Sequence, residues 1–325
     1  MKIEDVALMN RWASLHIENI EADTELPGTL FLFIGGKFLE FKQKGDFIPS
    51  EKHELFILKK LPYFFIKLAD INIYNEWIER IRKNTCNDIT VIAGNENKEL
   101  ITIKQNIKHY MTEFFSGGAD EKLLSNITWE TRSFAKIVGE RPVADVGLVK
   151  MSTQAKNIIE HSINVAILSV YLAHHLGLKQ QLILETAFLG GLLHDFGKTF
   201  IDASLYDEGN AQMLENALKD HPNQGRDALK NLKGISEEVL RIIEEHHENV
   251  DGSGHPLAKK GQLIYDLTKI VSIANAFDNF IRSGQGSLKE RSIAAVNALE
   301  RDKNHRFDPQ KLPKAIRALR LGIKE

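Results

Sequence analysis

From about Ser152 to the C-terminus, the apolar residues of this chain recur at helical spacing and almost nothing else does. AKNIIEHSINVAILSVYLAHHL, QLILETAFLGGLLHDFG and SEEVLRIIEEHH are followed by YDLTKIVSIANAFDNFIRS, LKERSIAAVNALERD and PQKLPKAIRALRLG. A stripe of that period buries one face of each helix against its neighbours. No strand signal appears after about residue 140, so this part is expected to be an all-α bundle. The chain has 12 histidines, and seven of them fall between His161 and His247, within or at the ends of these apolar runs.

Each of those histidines has an ordinary explanation when taken singly. His161, mid-helix, reads as a core histidine bonded to a carbonyl. His246 and His247 close a helix, where an imidazole complements the helix dipole. His221, between Asp220 and Pro222, reads as a surface residue at a loop-to-helix junction. Together with His194-Asp195 in LLHDFGK and Asp278 further on, they point instead to metal ligation. An imidazole binds one ion terminally, and a carboxylate has two oxygens with which to bridge a pair. Adjacent helical positions diverge by about 100°, so His246 and His247 cannot chelate one ion from one face and are expected each to address a different ion of a pair. Gly190 and Gly191, costly inside a helix, suit a close helix–helix approach beside such a cluster.

The first third differs. TLFLFI and KFLEFK flank Gly35-Gly36 and read as a hairpin. HELFILKKL is helix or strand, with Ser50 as a candidate N-cap. PYFFIKL, opened by Pro62, reads as a strand, and INIYNEWIERIRK as an amphipathic helix. In ITVIAGNENKELI the Asn/Gly cluster marks a loop. Helical stretches at 98–115 and 120–138, split by Gly117-Gly118, lead to Pro142. The expected fold is α+β overall: a small α/β or α+β accessory domain over residues 1–118, a helical linker over 119–150, and the helical bundle over 151–325. His16, His53 and His109 stand alone in the first part and carry no chemistry. It reads as a sensing or docking module.

Composition narrows the function. The net charge of −2 argues against a chain-wide nucleic-acid surface, so no DNA partner is expected. The single cysteine, Cys86, fits a reducing compartment. The opening MKIEDVALMNRW lacks the apolar core of a signal peptide, and no apolar run reaches the roughly 20 residues of a membrane helix. A soluble cytoplasmic protein is expected.

The order His161, His194-Asp195 with Gly197-Lys198, His221, His246-His247-Glu248 and then the GSGHP loop resembles the HD-GYP family, a branch of the HD-domain metal-dependent phosphohydrolases. The likeness covers about residues 150–320, including Phe307-Asp308-Pro309. It implies a helical bundle holding two or three non-haem iron or manganese ions, and cyclic di-GMP as substrate. The metal ligands it implies are His161, His194, Asp195, His221, His246 and His247, with Asn275 and Asp278 from ANAFD. Asp195 and Lys198 would be catalytic, with the Lys198 ammonium on a phosphate oxygen. Lys198 would also bind substrate, with Gly252, Gly254, His255 and Pro256. The chain departs from the family at three places. His255 replaces the tyrosine of GYP. Asn157 stands where three-metal members have a glutamate, so two ions are expected. Asn275 replaces the first aspartate of ADxFD, and Asp278 either compensates for it or orients a histidine. Three functions remain open at this level: a cyclic di-GMP phosphodiesterase, a weak or inactive cyclic di-GMP receptor or docking module for diguanylate cyclases carrying GGDEF domains, or an HD hydrolase acting on a related nucleotide or another phosphoester.

Overall fold

The computed structural model describes residues 11–58, 61, 63–117, 119–141, 147–152, 155, 157–206, 209–302 and 306–324. The first ten residues, Pro62, Gly118 and Pro142, to which the sequence reading gave roles, lie outside them. Contacts divide the chain into two compact units: Met1–Asn87 with Asp202–Asn210, and Asp88–Ile201 with Ala211–Glu325.

In the first unit, β1 (Trp12–His16), β2 (Leu30–Ile34), β3 (Lys37–Lys42) and β4 (Tyr63–Lys67) form an antiparallel sheet in the order β1-β4-β2-β3. Gly35 and Gly36, at φ +59° and +78°, make the expected β2–β3 hairpin turn. HELFILKKL resolves as helix, in α1 (Ser50–Leu58). Ser50 begins that helix and turns its hydroxyl to Asp23, so it does not act as the expected N-cap. The core joins Leu15, Leu30, Phe64 and Ile66 of the sheet to Tyr74 and Trp77 of α2 (Ile71–Ala93). His53 is a satisfied core histidine, with Nε2 3.0 Å from the Ile17 carbonyl. The stretch ITVIA continues α2 to Ala93; Gly94, at φ +95°, opens the break that the Asn/Gly cluster marks in the sequence. Its β-branched residues are tolerated because α2 is already nucleated upstream.

The second unit is built of helices joined by loops, with no strand among its described residues. The stretches at 98–115 and 120–138 are α3 (Lys98–Gly117) and α4 (Glu121–Glu140), and α5 (Gly147–Met151) follows. α3 and α4 pack within this unit. Phe134 of α4 lies 4.6 Å from Phe188, ring to ring, and Phe114 of α3 lies 5.1 Å from Phe196. At the centre are α6 (Ile158–His175) and α7 (Gln181–Leu193). α6 is buried on almost every side, and Gly177 at φ +89° closes it as expected. The glycine pair in α7 does bring helices together. A Cβ on Gly191 would sit 2.7 Å from the Ala166 Cα of α6, and one on Gly190 would sit 2.6 Å from Ile242. Ile242 belongs to α9 (Glu237–Glu245), which Ser236 caps as expected. α8 (Ala211–Leu229) precedes it, and α10 (Asp266–Ser283), α11 (Leu288–Arg301) and α12 (Leu312–Lys324) complete the bundle.

Candidate metal centre

The ends of helices supply the site. α7 stops at Leu193, so His194 and Asp195 lie at its C-terminus and not inside the helix that the sequence suggested; a 3₁₀ turn, Phe196–Phe200, follows. The last carbonyls of a helix have no intrahelical donor. His194 uses one of them, with Nδ1 2.8 Å from the Gly191 oxygen. His246, just past α9, repeats the arrangement with Ile243 at 2.8 Å. His221 corrects a second expectation. It sits in the middle of α8, with Pro222 inside the helix. Proline has no N–H to give the carbonyl four residues back, which is that of Leu218. The His221 Nδ1 takes that carbonyl instead, at 2.5 Å. The proline therefore frees the acceptor that orients its neighbour, a role we read as the reason an internal proline is tolerated here.

An Nδ1–H given to a carbonyl leaves Nε2 of a neutral ring as a bare lone pair. The Nε2 atoms of these rings converge on Asp195, which is 1% exposed. Its Oδ1 lies 3.1 Å from His221 Nε2 and 3.7 Å from His246 Nε2. Its Oδ2 lies 3.4 Å from His194 Nε2 and 3.6 Å from His161 Nε2. The carboxylate thus faces two ligand groups at once: Asp195, His221, His246 and His247 on one side, and His161, His194 and Asp195 on the other. His246 and His247, expected on different ions, fall in one group, because both lie in the turn past the end of α9 where the helical offset no longer applies. The His221 and His246 Nε2 atoms are only 3.2 Å apart, and His194 Nε2 is buried with no hydrogen-bond partner. Lone pairs and a carboxylate packed this closely repel unless positive charge sits among them. This donor set fits a pair of divalent cations.

Burial shapes the charges. It pushes the pKa of His161, His246 and His247 down, so these rings are neutral and ready to ligate. Burial works to raise the Asp195 carboxyl, but His194 and the Lys198 ammonium outweigh it and hold it well below the usual range. For the histidines the folded value lies under the unfolded one of about 6.5, so below that pH the unfolded chain binds more protons. Their stabilising contribution is intact above about pH 6.5 and fades as pH falls. Chelator-treated protein is expected to keep a level melting temperature from pH 8 to about 7 and to lose stability steeply toward pH 5, by about 1.4 kcal/mol per pH unit for each such histidine. A thermal melt series checks this; a level profile down to pH 5 contradicts neutral buried rings.

The other expected site residues fall into place around this cluster. Asp278 stands behind His161 and not among the converging atoms. Its Oδ2 accepts from His161 Nδ1 at 2.6 Å and its Oδ1 from Asn164 Nδ2 at 2.9 Å. Of the two roles the sequence left open for it, ligand or orienting group, this geometry is that of a group orienting His161. Asn275, buried one turn earlier, accepts from Asn279 Nδ2 at 2.7 Å. Asn157 caps α6, accepting from the Glu160 N–H at 2.9 Å. Lys198 places its ammonium 2.7 Å from Asp195 Oδ2, with its side chain 29% exposed. In the GSGHP loop, His255 stacks on His247 with centroids 4.7 Å apart and planes at 22°. The loop's anchor was missed in the sequence. Glu248, 3% exposed, accepts from the N–H of Leu257 at 2.6 Å and of Lys259 at 2.8 Å. Glu245, fully buried, accepts from Lys259 Nζ and the Tyr265 N–H. Both carboxylates that flank His246-His247 are turned to the loop and not to the cluster, which only the fold shows.

The HD domain family matches residues 146–310. Among curated proteins, the chain is 31% identical over 180 residues to the cyclic di-GMP phosphodiesterase PA4108 of Pseudomonas aeruginosa, covering 55% of this chain and 43% of that one. It is 27% identical over 163 residues to the cyclic di-GMP phosphodiesterase PdeB of Borreliella burgdorferi, covering 50% and 42%. The matches thus span less than half the length of these relatives. Among solved structures, Bd1817, a HDG"Y"P protein from Bdellovibrio bacteriovorus, shares the fold with a TM-score of 0.63 at 21% identity, over 95% of this chain and 99% of that one. The chain belongs to the HD-domain family, and its motifs resemble those of the HD-GYP branch.

Proposed function

We propose that this chain is a metal-dependent phosphodiesterase that cleaves cyclic di-GMP. The observation that carries the reading is the division of the Asp195 carboxylate between two sets of imidazole nitrogens. One ion would be held by Asp195, His221, His246 and His247, the other by His161, His194 and Asp195. Imidazole and carboxylate together suit iron or manganese better than magnesium. Bound there, such a pair activates water near neutral pH and neutralises charge on a phosphodiester. The protein's own part is to orient the rings through main-chain carbonyls and to keep them neutral by burial. It also presents the partly exposed Lys198 ammonium beside the centre, where a phosphate oxygen can reach it. The loop of Gly252, Gly254, His255 and Pro256 would form a wall of the substrate site, and residues 1–118 the sensing or docking part. Among the described residues no helix is long and apolar enough to cross a membrane. The reading places the protein in the cytoplasm, where it would meet the products of diguanylate cyclases.

Anaerobically purified protein loaded with iron or manganese is expected to hold about two equivalents of metal and to convert cyclic di-GMP to the linear dinucleotide. Metal analysis, product chromatography and a binding titration check this together. Absence of metal overturns the centre, and tight binding without product replaces the enzyme with a receptor.

A further inference from the structure

Four of the five candidate ligand histidines have their second ring nitrogen fixed by a hydrogen bond. His161 is fixed by Asp278, and His194, His221 and His246 by the Gly191, Leu218 and Ile243 carbonyls. His247 differs. Among the described residues its ring makes no hydrogen bond, and it is partly exposed where the other four are buried. An imidazole without such a partner is free to rotate about its side-chain bonds, which weakens it as a ligand. What it has is ring packing. His246 lies 4.2 Å away at 47°, His221 5.2 Å away at 84°, and His255 4.7 Å away at 22°, the only near-parallel contact of the three.

We propose that His255 is a positioning residue: its ring holds the His247 imidazole in the orientation that ligates metal, a task done for the other four histidines by hydrogen bonds. The segment carrying His255 is built to hold that ring still. Its backbone N–H donates to the His247 carbonyl at 3.2 Å. Gly254 lies so close to the backbone of residues 247–249 that a Cβ there would overlap it. The Glu248 carboxylate secures the far side through Leu257 and Lys259. Ligand and stacking ring are thus anchored to one short piece of backbone, and neither moves without the other. A flat ring suffices for this work, so the position tolerates a change of aromatic type.

The proposal rests on the metal reading above, and Mn(II) titration of the full chain separates the two. Wild type is expected to bind two ions. His255→Ala is expected to weaken one of them, that of the His247 site, about 10- to 100-fold and to leave the other unchanged. His255→Phe, which keeps the flat ring and removes its nitrogens, is expected to restore affinity to within about threefold of wild type, a recovery well inside that range. Glu248→Gln, which loosens the loop and keeps every ring, is expected to weaken the same ion selectively and decides the matter should His255→Ala fail to fold. Wild type that binds no Mn(II) overturns the metal reading and this proposal with it. Two ions bound equally well by wild type and His255→Ala overturn this proposal alone. So does a His255→Phe variant as weak as His255→Ala, because the imidazole nitrogen and not the ring face would then be what matters.

Discussion

Asp195→Ala is expected to lose both ions and to lower phosphodiesterase activity by more than about 10³-fold, beyond the usual effect of removing one stabilising group from an active site. The size follows from position. Asp195 belongs to both ligand groups, so its removal leaves three histidines on one side and two on the other with no charge to balance a divalent ion. The buried rings cannot make up the difference, since their lone pairs carry none. Fold and ligation separate cleanly in the readout. In wild type, added Mn(II) raises the melting temperature through binding to the native state; in the variant the melting temperature stays where it was. Asp195→Asn keeps the shape and one oxygen, and is expected to retain at most one ion. A variant that binds two ions and responds to Mn(II) like wild type would remove Asp195 from the centre.

Gly197→Ala is expected to have an effect almost as large, for a reason that has nothing to do with ligation. At Gly197 the 3₁₀ turn after Asp195 runs directly against α8, and a Cβ would overlap the His221 carbonyl oxygen and crowd the Gly225 nitrogen. Main chain cannot rotate out of the way as a side chain can. Either the turn or α8 must shift, and Asp195 and His221 separate. We expect a loss of at least about 3 kcal/mol of stability together with loss of the ion held by His221. Denaturant unfolding and metal analysis check the two effects. A stable variant with both ions would mean that the approach of these two backbones relaxes without cost.

How much of this was legible in the chain follows from what kind of signal each part leaves. The bundle was legible because helical periodicity is local, as in α6 and α7. That His161, His194, Asp195, His221, His246 and His247 come together was legible because motif spacing survives in sequence. Positions set by distant partners were not. Pro222 looked like a helix boundary, since its effect on the Leu218 carbonyl depends on a ring that sequence does not orient. Asp278 stayed open between ligand and orienting group because only the fold puts Asn164 and His161 on its two oxygens. The role of Glu248 left no signal, because the N–H groups it holds belong to a loop with no periodicity. The Asn/Gly cluster after ITVIA marked the break between α2 and α3, and composition did not show that α2 runs right up to it.

The carbonyls of Gly191, Leu218 and Ile243 give the centre an unusual division of labour. Because main chain, not neighbouring side chains, aims these three rings, the apolar interior around them can be exchanged residue for residue without turning a ligand. The same arrangement leaves no tolerance for a change in chain length. Inserting or deleting one residue near the end of α7 or α9 swings the following ring by about 100° and points its lone pair away from Asp195. Away from the close-packed Gly190, Gly191 and Gly197, side-chain substitutions in this bundle should therefore be forgiven far more readily than single-residue insertions, even conservative ones placed beyond reach of any ion.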